Sequence, residues 1–204
     1  MTEPKKAYSY LALGDSYTIG QSVLPSENFP NQTVQLLNQQ NYNFKSPEIL
    51  ATTGWTTDEL QNNINSHTFT PPYDFVSLLI GVNNQYRGRS VENYKPEFES
   101  LLKQAIQFAG GNANRVIVVS IPDWGVTPFA NGRDRAQIAK EIDDYNAANK
   151  YISVIYKVNY VDITPGSREA ATDLTLVAGD GLHPSAKEYA KWAQKVFAAI
   201  KQQL

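Results

Sequence analysis

The sequence predicts an α/β protein, a three-layer α/β/α sandwich in which helices cover both faces of a central, mostly parallel, five-stranded sheet. Short apolar runs alternate along the 204 residues with segments of helical periodicity. This alternation is typical of strands joined by crossover helices. Two of the runs are apolar at most positions, as expected for strands that are buried on both faces.

Five segments supply the predicted strands. The first is residues 8–13. The strongest are residues 75–80 and 115–121, because each is mainly apolar and is bounded by polar or turn-forming residues. Residues 44–51 and 159–163 are weaker candidates for the remaining two strands.

The helices follow from caps and apolar stripes. Residues 31–40 are predicted to be helical, and the threonine-to-glutamate spacing of Thr56-Thr57-Asp58-Glu59 predicts a helix start, since it matches a capping box. Three further segments carry apolar residues at helical spacing: from Phe98 to Ala109, from Ile138 to Ile155 and from Tyr189 to Ile200.

Composition favours a globular protein with one domain over residues 1–204, because no repeat, low-complexity tract or change in composition divides the chain. The net charge of −2 disfavours a nucleic acid or an anionic membrane as partner. No apolar run approaches the roughly 20 residues that a membrane-spanning helix needs. The absence of cysteine excludes disulfides, thiolate metal ligands and a cysteine nucleophile.

The first residues do not resemble a secretory signal, because the apolar stretch after Lys6 is short and aromatic. A cytoplasmic location is therefore the default expectation. A chain from which a signal had been removed would look the same.

Candidate catalytic residues follow the predicted strands. Ser16 lies just after the first strand, and Asp180 precedes His183 by three residues. A serine hydroxyl needs a histidine to accept its proton, and a carboxylate usually orients that histidine. The chain has only two histidines, and the other, His67, has no acidic residue beside it in sequence. Because the carboxyl ends of parallel strands share one edge, these groups are able to meet there.

Two further residues are candidate donors to an oxyanion. Gly54 directly precedes the capping box, and amides at a helix start favour developing negative charge. Asn83 follows the strongest predicted strand, where its side-chain amide is able to donate a hydrogen bond. Each also has a plain alternative interpretation, as a turn residue.

Taken together, these motifs resemble those of the SGNH hydrolases, also called GDSL esterases or lipases, from Leu13 to about Tyr189. The resemblance implies a flavodoxin-like sheet. It also implies that Ser16 is the nucleophile, that His183 is the base and then the acid, and that Asp180 orients His183. The Ser16 amide, the Gly54 amide and the Asn83 side chain would form the oxyanion hole.

The chain departs from the family pattern at two positions. Asn84 stands where the third block often has aspartate, which we expect to alter turn hydrogen bonds and to leave the donor Asn83 in place. Tyr17 stands where leucine commonly follows the serine, and it is expected to form an aromatic wall beside the nucleophile.

Aromatic residues in the predicted loops at the same edge are candidates for the substrate pocket, where they would hold an acyl chain or stack on a sugar ring. A position in the core is an equally good interpretation for each of them. Besides Tyr17, these candidates are Trp55, Tyr86, Trp124 and Phe129.

The sequence predicts neither a metal nor a cofactor. Histidines and carboxylates do not occur at metal-ligand spacing, and no phosphate-binding glycine loop follows the first strand. The expected function is that of a serine esterase acting on short-chain or carbohydrate-linked acyl esters through an acyl-enzyme. The alternatives are a flavodoxin-like binding module without hydrolytic activity, and an acyltransferase that uses the same triad.

Overall fold

A five-stranded sheet organises residues 6–204, which are the part of the chain described in this computed structural model. All neighbouring strands are parallel and their order is β2-β1-β3-β4-β5. This order is flavodoxin-like, so the predicted fold class is confirmed. The first five residues of the predicted domain 1–204 lie outside the described part, and its single-domain character stays a prediction. The strands are β1 (Tyr10–Asp15), β2 (Glu48–Thr52), β3 (Phe75–Leu79), β4 (Val116–Val119) and β5 (Asn159–Val161).

Burial explains why some strands were easier to predict than others. Every residue of the inner strands β1, β3 and β4 is buried. A strand covered on both faces needs an apolar residue at nearly every position, which gives the mainly apolar runs seen in the sequence. The edge strands β2 and β5 are partly exposed and correspondingly more polar.

Helices cover both faces of the sheet. Helices α2 and α8 pack together on one face, while α3, α5 and α6 form the layer on the other. Within residues 6–204, no helix combines the length and the apolar character needed to cross a bilayer. The helices are α1 (Ser16–Ile19), α2 (Phe29–Gln39), α3 (Thr57–Ser66), α4 (Val82–Tyr86), α5 (Val91–Phe108), α6 (Arg135–Tyr156), α7 (Thr164–Ser167) and α8 (Ala186–Lys201).

The predicted start of α3 is confirmed, whereas that of α2 is not. The Thr56 N–H donates to the Glu59 carboxylate at 2.8 Å, which completes the capping box. Helix α2 begins at Phe29, two residues before the predicted start, because the Asn28 side chain accepts from the Asn31 N–H. Pro30 fits the first turn of α2, where no N–H is required.

The second strand is shorter than predicted. Phe44 forms only an isolated bridge with Tyr8, and β2 begins at Glu48. Pro47 lies between the bridge and the strand and has no N–H to donate to a sheet ladder. The predicted strand 44–51 therefore splits into a bridge and a five-residue strand.

The first strand continues through Asp15, two residues beyond its predicted end. Gly14 therefore lies inside the sheet, where α1 folds back over it. A Cβ atom on Gly14 would lie 2.1 Å from the Thr18 hydroxyl and 2.5 Å from the Leu79 carbonyl oxygen. Only a glycine allows this approach, which places Ser16 directly above the carboxyl ends of β1 and β3.

We expect Gly14→Ala to destabilise the fold by about 1–3 kcal/mol, the usual cost of forcing extra atoms into a packed site. Urea unfolding measures this cost. Gly179→Ala is the matched control, since a Cβ atom there meets nothing within 4 Å. Equal midpoints for the two variants would contradict the close approach at Gly14.

Candidate active site

Three side chains far apart in sequence form one chain of hydrogen bonds. Ser16 Oγ lies 2.9 Å from Nε2 of His183, and Nδ1 of the same ring lies 2.6 Å from Oδ2 of Asp180. Ser16 and His183 are 3% and 4% exposed, so their contact is shielded from solvent. The structure thus brings together the three residues that the sequence singles out for nucleophilic chemistry.

The local fold at Ser16 follows from its neighbours. Ser16 is the first residue of α1, immediately after β1. The Asp15 side chain caps this short helix by accepting from the Tyr17 N–H at 2.9 Å. Gly20 ends it in a left-handed conformation with φ of 78°, which glycine adopts without strain. The serine is therefore held on a single tight turn.

The loop that carries His183 is fixed by hydrogen bonds on both sides. One carboxylate oxygen of Asp180 accepts from the N–H groups of Leu182 and His183, at 2.9 and 3.0 Å. The Ser185 side chain caps α8, so Asp180 is free to face the imidazole. Pro184 precedes this cap and lies outside the helix.

Asp180 is held in its ionised form. Partial burial raises its pKa, but hydrogen bonds from His183, Leu182 and Ser22 outweigh that effect and lower the pKa from 3.8 to about 2. A carboxylate that stays ionised accepts the Nδ1 proton of His183. Nε2 is then left to accept a proton from Ser16.

The two predicted oxyanion donors besides Ser16, Gly54 and Asn83, lie beside Ser16. Gly54 follows β2 with φ of 85° and lines the same pocket as Ser16 and Asn83. The Asn83 amide Nδ2 donates to the Trp55 carbonyl oxygen at 3.0 Å and to Asp15 Oδ2 at 3.3 Å. Asn83 therefore connects the loops after β1, β2 and β3.

Asp15 is a fully buried carboxyl group at the centre of this arrangement. It forms no ion pair with any residue of the described chain. Burial raises its pKa to about 7, although hydrogen bonds from Tyr17 and Asn83 oppose the shift. Asp15 thus serves both the helix that begins with Ser16 and the amide of Asn83.

The departure at position 84 has a structural role. Asn84 is buried, its side-chain oxygen accepts from the Thr57 N–H at 3.1 Å, and its amide donates to the Thr57 hydroxyl at 2.6 Å. These bonds hold α4 against the start of α3. A carboxylate could accept from the N–H but has no amide to donate, so asparagine suits this pairing. The expectation that Asn84 changes turn hydrogen bonds and leaves Asn83 in place agrees with this geometry.

A pocket of about 140 Å³ opens beside Ser16. Four of the five aromatic candidates for the substrate pocket lie on its wall, namely Tyr17, Tyr86, Trp124 and Phe129. Trp55 does not, because its side chain packs against the hydrophobic core and only its carbonyl oxygen faces the site. The lining residues are Ser16, Tyr17, Thr53, Gly54, Val82, Asn83, Tyr86, Trp124, Phe129, Leu182 and His183.

Tyr86, Trp124 and Phe129 form what we call the aromatic wall of the pocket. The sequence did not indicate which residues hold these three rings in place. The Trp124 indole donates to the Gln85 side-chain oxygen at 2.7 Å, and the Gln85 amide donates to Glu141 at 2.7 Å. The Arg133 guanidinium lies 5.1 Å from the ring centre of Tyr86, 5.4 Å from that of Trp124 and 5.7 Å from that of Phe129. A cation over three ring faces holds them together.

His67 lies outside the site. Its Nε2 atom is 3.1 Å from the Glu48 carboxylate, a partner that is distant in sequence, and its ring packs against that of Phe69 at a tilted angle. In residues 6–204, no group of three or more histidine and acidic residues converges to hold a metal ion.

The fold and this arrangement define the class of protein. A flavodoxin-like sheet that carries a serine, a histidine and an aspartate at the carboxyl ends of its strands matches the resemblance to SGNH hydrolases. The model of the GDSL-like lipase/acylhydrolase family matches residues 12–191. The chain belongs to this family and is a GDSL-type esterase or acylhydrolase.

Solved structures of similar fold cover nearly the whole chain. TesA superposes with a TM-score of 0.75 at 16% identity, over 96% of this chain and 99% of its own. Esterase EstA from Pseudoalteromonas sp. gives 0.72 at 15%, over 96% and 97%. Axe2, an acetylxylan esterase from Geobacillus stearothermophilus, gives 0.73 at 18%, over 95% and 94%. No curated protein matches the sequence significantly.

The buried Asp15 predicts a dependence of stability on pH. Its pKa is about 7 in the folded protein and near 3.8 in an exposed chain, so the folded state binds this proton more tightly. The resulting stabilisation is complete below about pH 3.8 and is lost as the pH rises through about 7. We expect the free energy of unfolding of the wild type to fall, relative to that of Asp15→Asn, between pH 4 and pH 7.

Urea titrations of both proteins across this range provide the measurement. Asp134→Asn is the control, because Asp134 also caps a helix but is exposed, and asparagine caps as well as aspartate. A difference between wild type and Asp15→Asn that stays constant with pH would rule out a protonated buried Asp15.

Proposed function

We propose that this protein is a serine esterase that hydrolyses small carboxylic acyl esters through an acyl-enzyme intermediate. The observation that carries the proposal is the contact chain from Ser16 through His183 to Asp180, with distances of 2.9 and 2.6 Å. These are the distances at which a base accepts the proton of a nucleophile and a carboxylate orients that base.

The proposed reaction uses each group in turn. The His183 Nδ1–H donates to Asp180, so the lone pair on Nε2 accepts the proton of Ser16 as its oxygen attacks the ester carbonyl carbon. The tetrahedral intermediate collapses, the bond to the alcohol oxygen breaks, and that oxygen takes the proton from Nε2. Water then loses a proton to Nε2 and attacks the acyl-enzyme. The carboxylic acid leaves and Ser16 regains its proton.

The oxyanion is stabilised by three donors in this proposal: the amides of Ser16 and Gly54 and the side chain of Asn83. In the free protein Asn83 Nδ2 already donates twice, and its contact with Asp15 is the longer at 3.3 Å. We infer that this longer contact gives way when the oxyanion forms. The bond to the Trp55 carbonyl then keeps the amide aimed at the substrate.

The pocket favours a short acyl group or an acylated sugar. Its volume of about 140 Å³ is small, and its wall includes the aromatic rings of Tyr86, Trp124 and Phe129, which contact one another. Aromatic faces pack against acyl chains as well as sugar rings. Two proteins of similar fold support this proposal, since EstA is an esterase and Axe2 is an acetylxylan esterase.

The sequence left two alternatives to a hydrolase, a binding module and an acyltransferase. A flavodoxin-like binding module without hydrolytic activity is wrong, because the chain belongs to a family of lipases and acylhydrolases. An acyltransferase with the same triad would pass the acyl group to a sugar alcohol in place of water. Product analysis with and without added alcohols distinguishes transfer from hydrolysis.

We expect Ser16→Ala to abolish both ester turnover and covalent labelling by an alkyl phosphonate. Asn83→Ala should lower kcat by ~10²–10³, the usual cost of one oxyanion donor, and change KM little. Asn62→Ala is the control, since Asn62 is exposed on α3. Steady-state hydrolysis of 4-nitrophenyl acetate tests both variants. Wild-type kcat in Asn83→Ala would reject the assigned donor, and phosphonate labelling of Ser16→Ala would reject the nucleophile.

The pocket volume predicts a preference for short chains. We expect kcat/KM for 4-nitrophenyl esters to be highest for acetate or butyrate and to fall for octanoate and longer chains. Phe129→Ala should shift the optimum toward longer chains, because Phe129 forms part of the wall. An unchanged profile in this variant would show that the acyl group binds elsewhere. A panel of acetylated saccharides then tests the alcohol side.

A further inference from the structure

Ser22 adopts a backbone conformation that is unusual for its residue type. Within the described chain, the residues other than glycine with positive φ are Ser22 at 68°, Asn41 at 65° and Lys157 at 57°. Asparagine tolerates this region, and Lys157 occupies the C-cap of α6, where helices often end in this way. Ser22 has neither reason, because α1 already ends at Gly20.

The Ser22 side chain contacts Asp180, the carboxylate that orients His183 in the proposed function. Its hydroxyl donates to Asp180 Oδ2 at 2.7 Å, across 158 residues of sequence. This is the same oxygen that faces His183 Nδ1 at 2.6 Å. The other oxygen of Asp180 accepts from two backbone N–H groups. With Ser22 in place, each carboxylate oxygen has two donors.

A carboxylate held in this way has little freedom to rotate. Without Ser22, the oxygen facing His183 would have the imidazole as its only protein donor. The Asp180 side chain is 27% exposed, so water would replace the hydroxyl and compete with the imidazole for that oxygen. Unusual backbone conformations persist where the surrounding structure requires them, often at functional sites.

We propose that Ser22 is a positioning residue that fixes the Asp180 carboxylate toward His183. The inference rests on the proposed function. Ser16 and Ser22 lie six residues apart. The segment that carries the proposed nucleophile therefore also holds Asp180, the last residue of the Ser16–His183–Asp180 series of hydrogen bonds. The strained backbone at Ser22 is what directs the hydroxyl toward Asp180.

Substitutions at Ser22 separate the hydroxyl from the backbone strain. Ser22→Ala removes the hydroxyl and keeps the strain, whereas Ser22→Gly removes both, because glycine adopts positive φ freely. Ser22→Thr keeps the hydroxyl and adds strain, since a β-branched residue is poorly suited to this region. Lys157→Gly is the matched control, a glycine at a positive-φ position remote from the site.

We expect kcat to follow the hydroxyl and stability to follow the strain. Hydrolysis of 4-nitrophenyl acetate should show kcat about tenfold lower in both Ser22→Ala and Ser22→Gly, with KM unchanged, as for one lost hydrogen bond to a charged group. Ser22→Thr should keep most of the wild-type kcat. Urea midpoints should rank Ser22→Gly above Ser22→Ala, and Ser22→Thr below the wild type. Lys157→Gly should leave kcat unchanged.

Several results would overturn the inference. Wild-type kcat in both Ser22→Ala and Ser22→Gly would show that the hydroxyl does not act on Asp180. A loss confined to Ser22→Ala, with normal kcat in Ser22→Gly, would show that the backbone matters and the hydroxyl does not. If turnover depends on Ser16 while the Ser22 variants behave as wild type, only this inference fails. If the wild type shows no Ser16-dependent turnover, the proposed function fails as well.

Discussion

The hydrogen bond between Ser16 and His183 joins residues 167 positions apart, and the parallel sheet makes that contact possible. In the order β2-β1-β3-β4-β5, the chain leaves β1 toward one edge and continues from β3 toward the other. The loops after β1 and β3 therefore diverge and leave a crevice between them. Ser16 and Asn83 stand on opposite sides of that crevice, and the final loop brings His183 over it.

Asp15 shows how closely this edge of the molecule is interconnected. Its two oxygens serve two loops, one through the Tyr17 N–H and the other through the Asn83 amide. An asparagine at this position would place its amide nitrogen, which is a donor, against one of these two donors. Burial of a carboxyl group is unfavourable. At this position, however, the buried Asp15 joins the helix that begins with the proposed nucleophile to the side chain of the proposed oxyanion donor.

Much of this arrangement could be predicted from the sequence because its residues follow buried strands. Strands β1, β3 and β4 are buried on both faces, so their apolar runs were clear, and the motif residues Ser16 and Asn83 come shortly after two of them. The half-exposed β2 gave a weaker pattern and a wrong starting residue. The motif of Asp180 and His183 was detectable because both partners lie within four residues of each other.

Other features had no local signal. Trp55 is adjacent to Gly54, but adjacency does not determine which way a side chain points, and its indole packs against the core. Gln85 gains its role from Trp124 and Glu141, which lie 39 and 56 residues away. The contact of Ser22 with Asp180 depends on a positive φ that serine rarely adopts, so residue type gave no indication of it.

In the proposed function, the residues that act on the ester bond are largely different from the aromatic residues that would select the substrate. The proposed catalytic contacts come from the loops after β1, β2 and β3 and from the loop before α8. The aromatic wall comes from α4 and from the segment between β4 and α6, where Arg133 lies against all three rings. Within residues 6–204, Arg133 forms no hydrogen bond or ion pair with Ser16, His183 or Asp180. We therefore expect changes at Trp124 or Phe129 to alter which ester fits while the contacts among Ser16, His183 and Asp180 stay intact. Tyr86 is the exception, because it shares α4 with the proposed oxyanion donor Asn83.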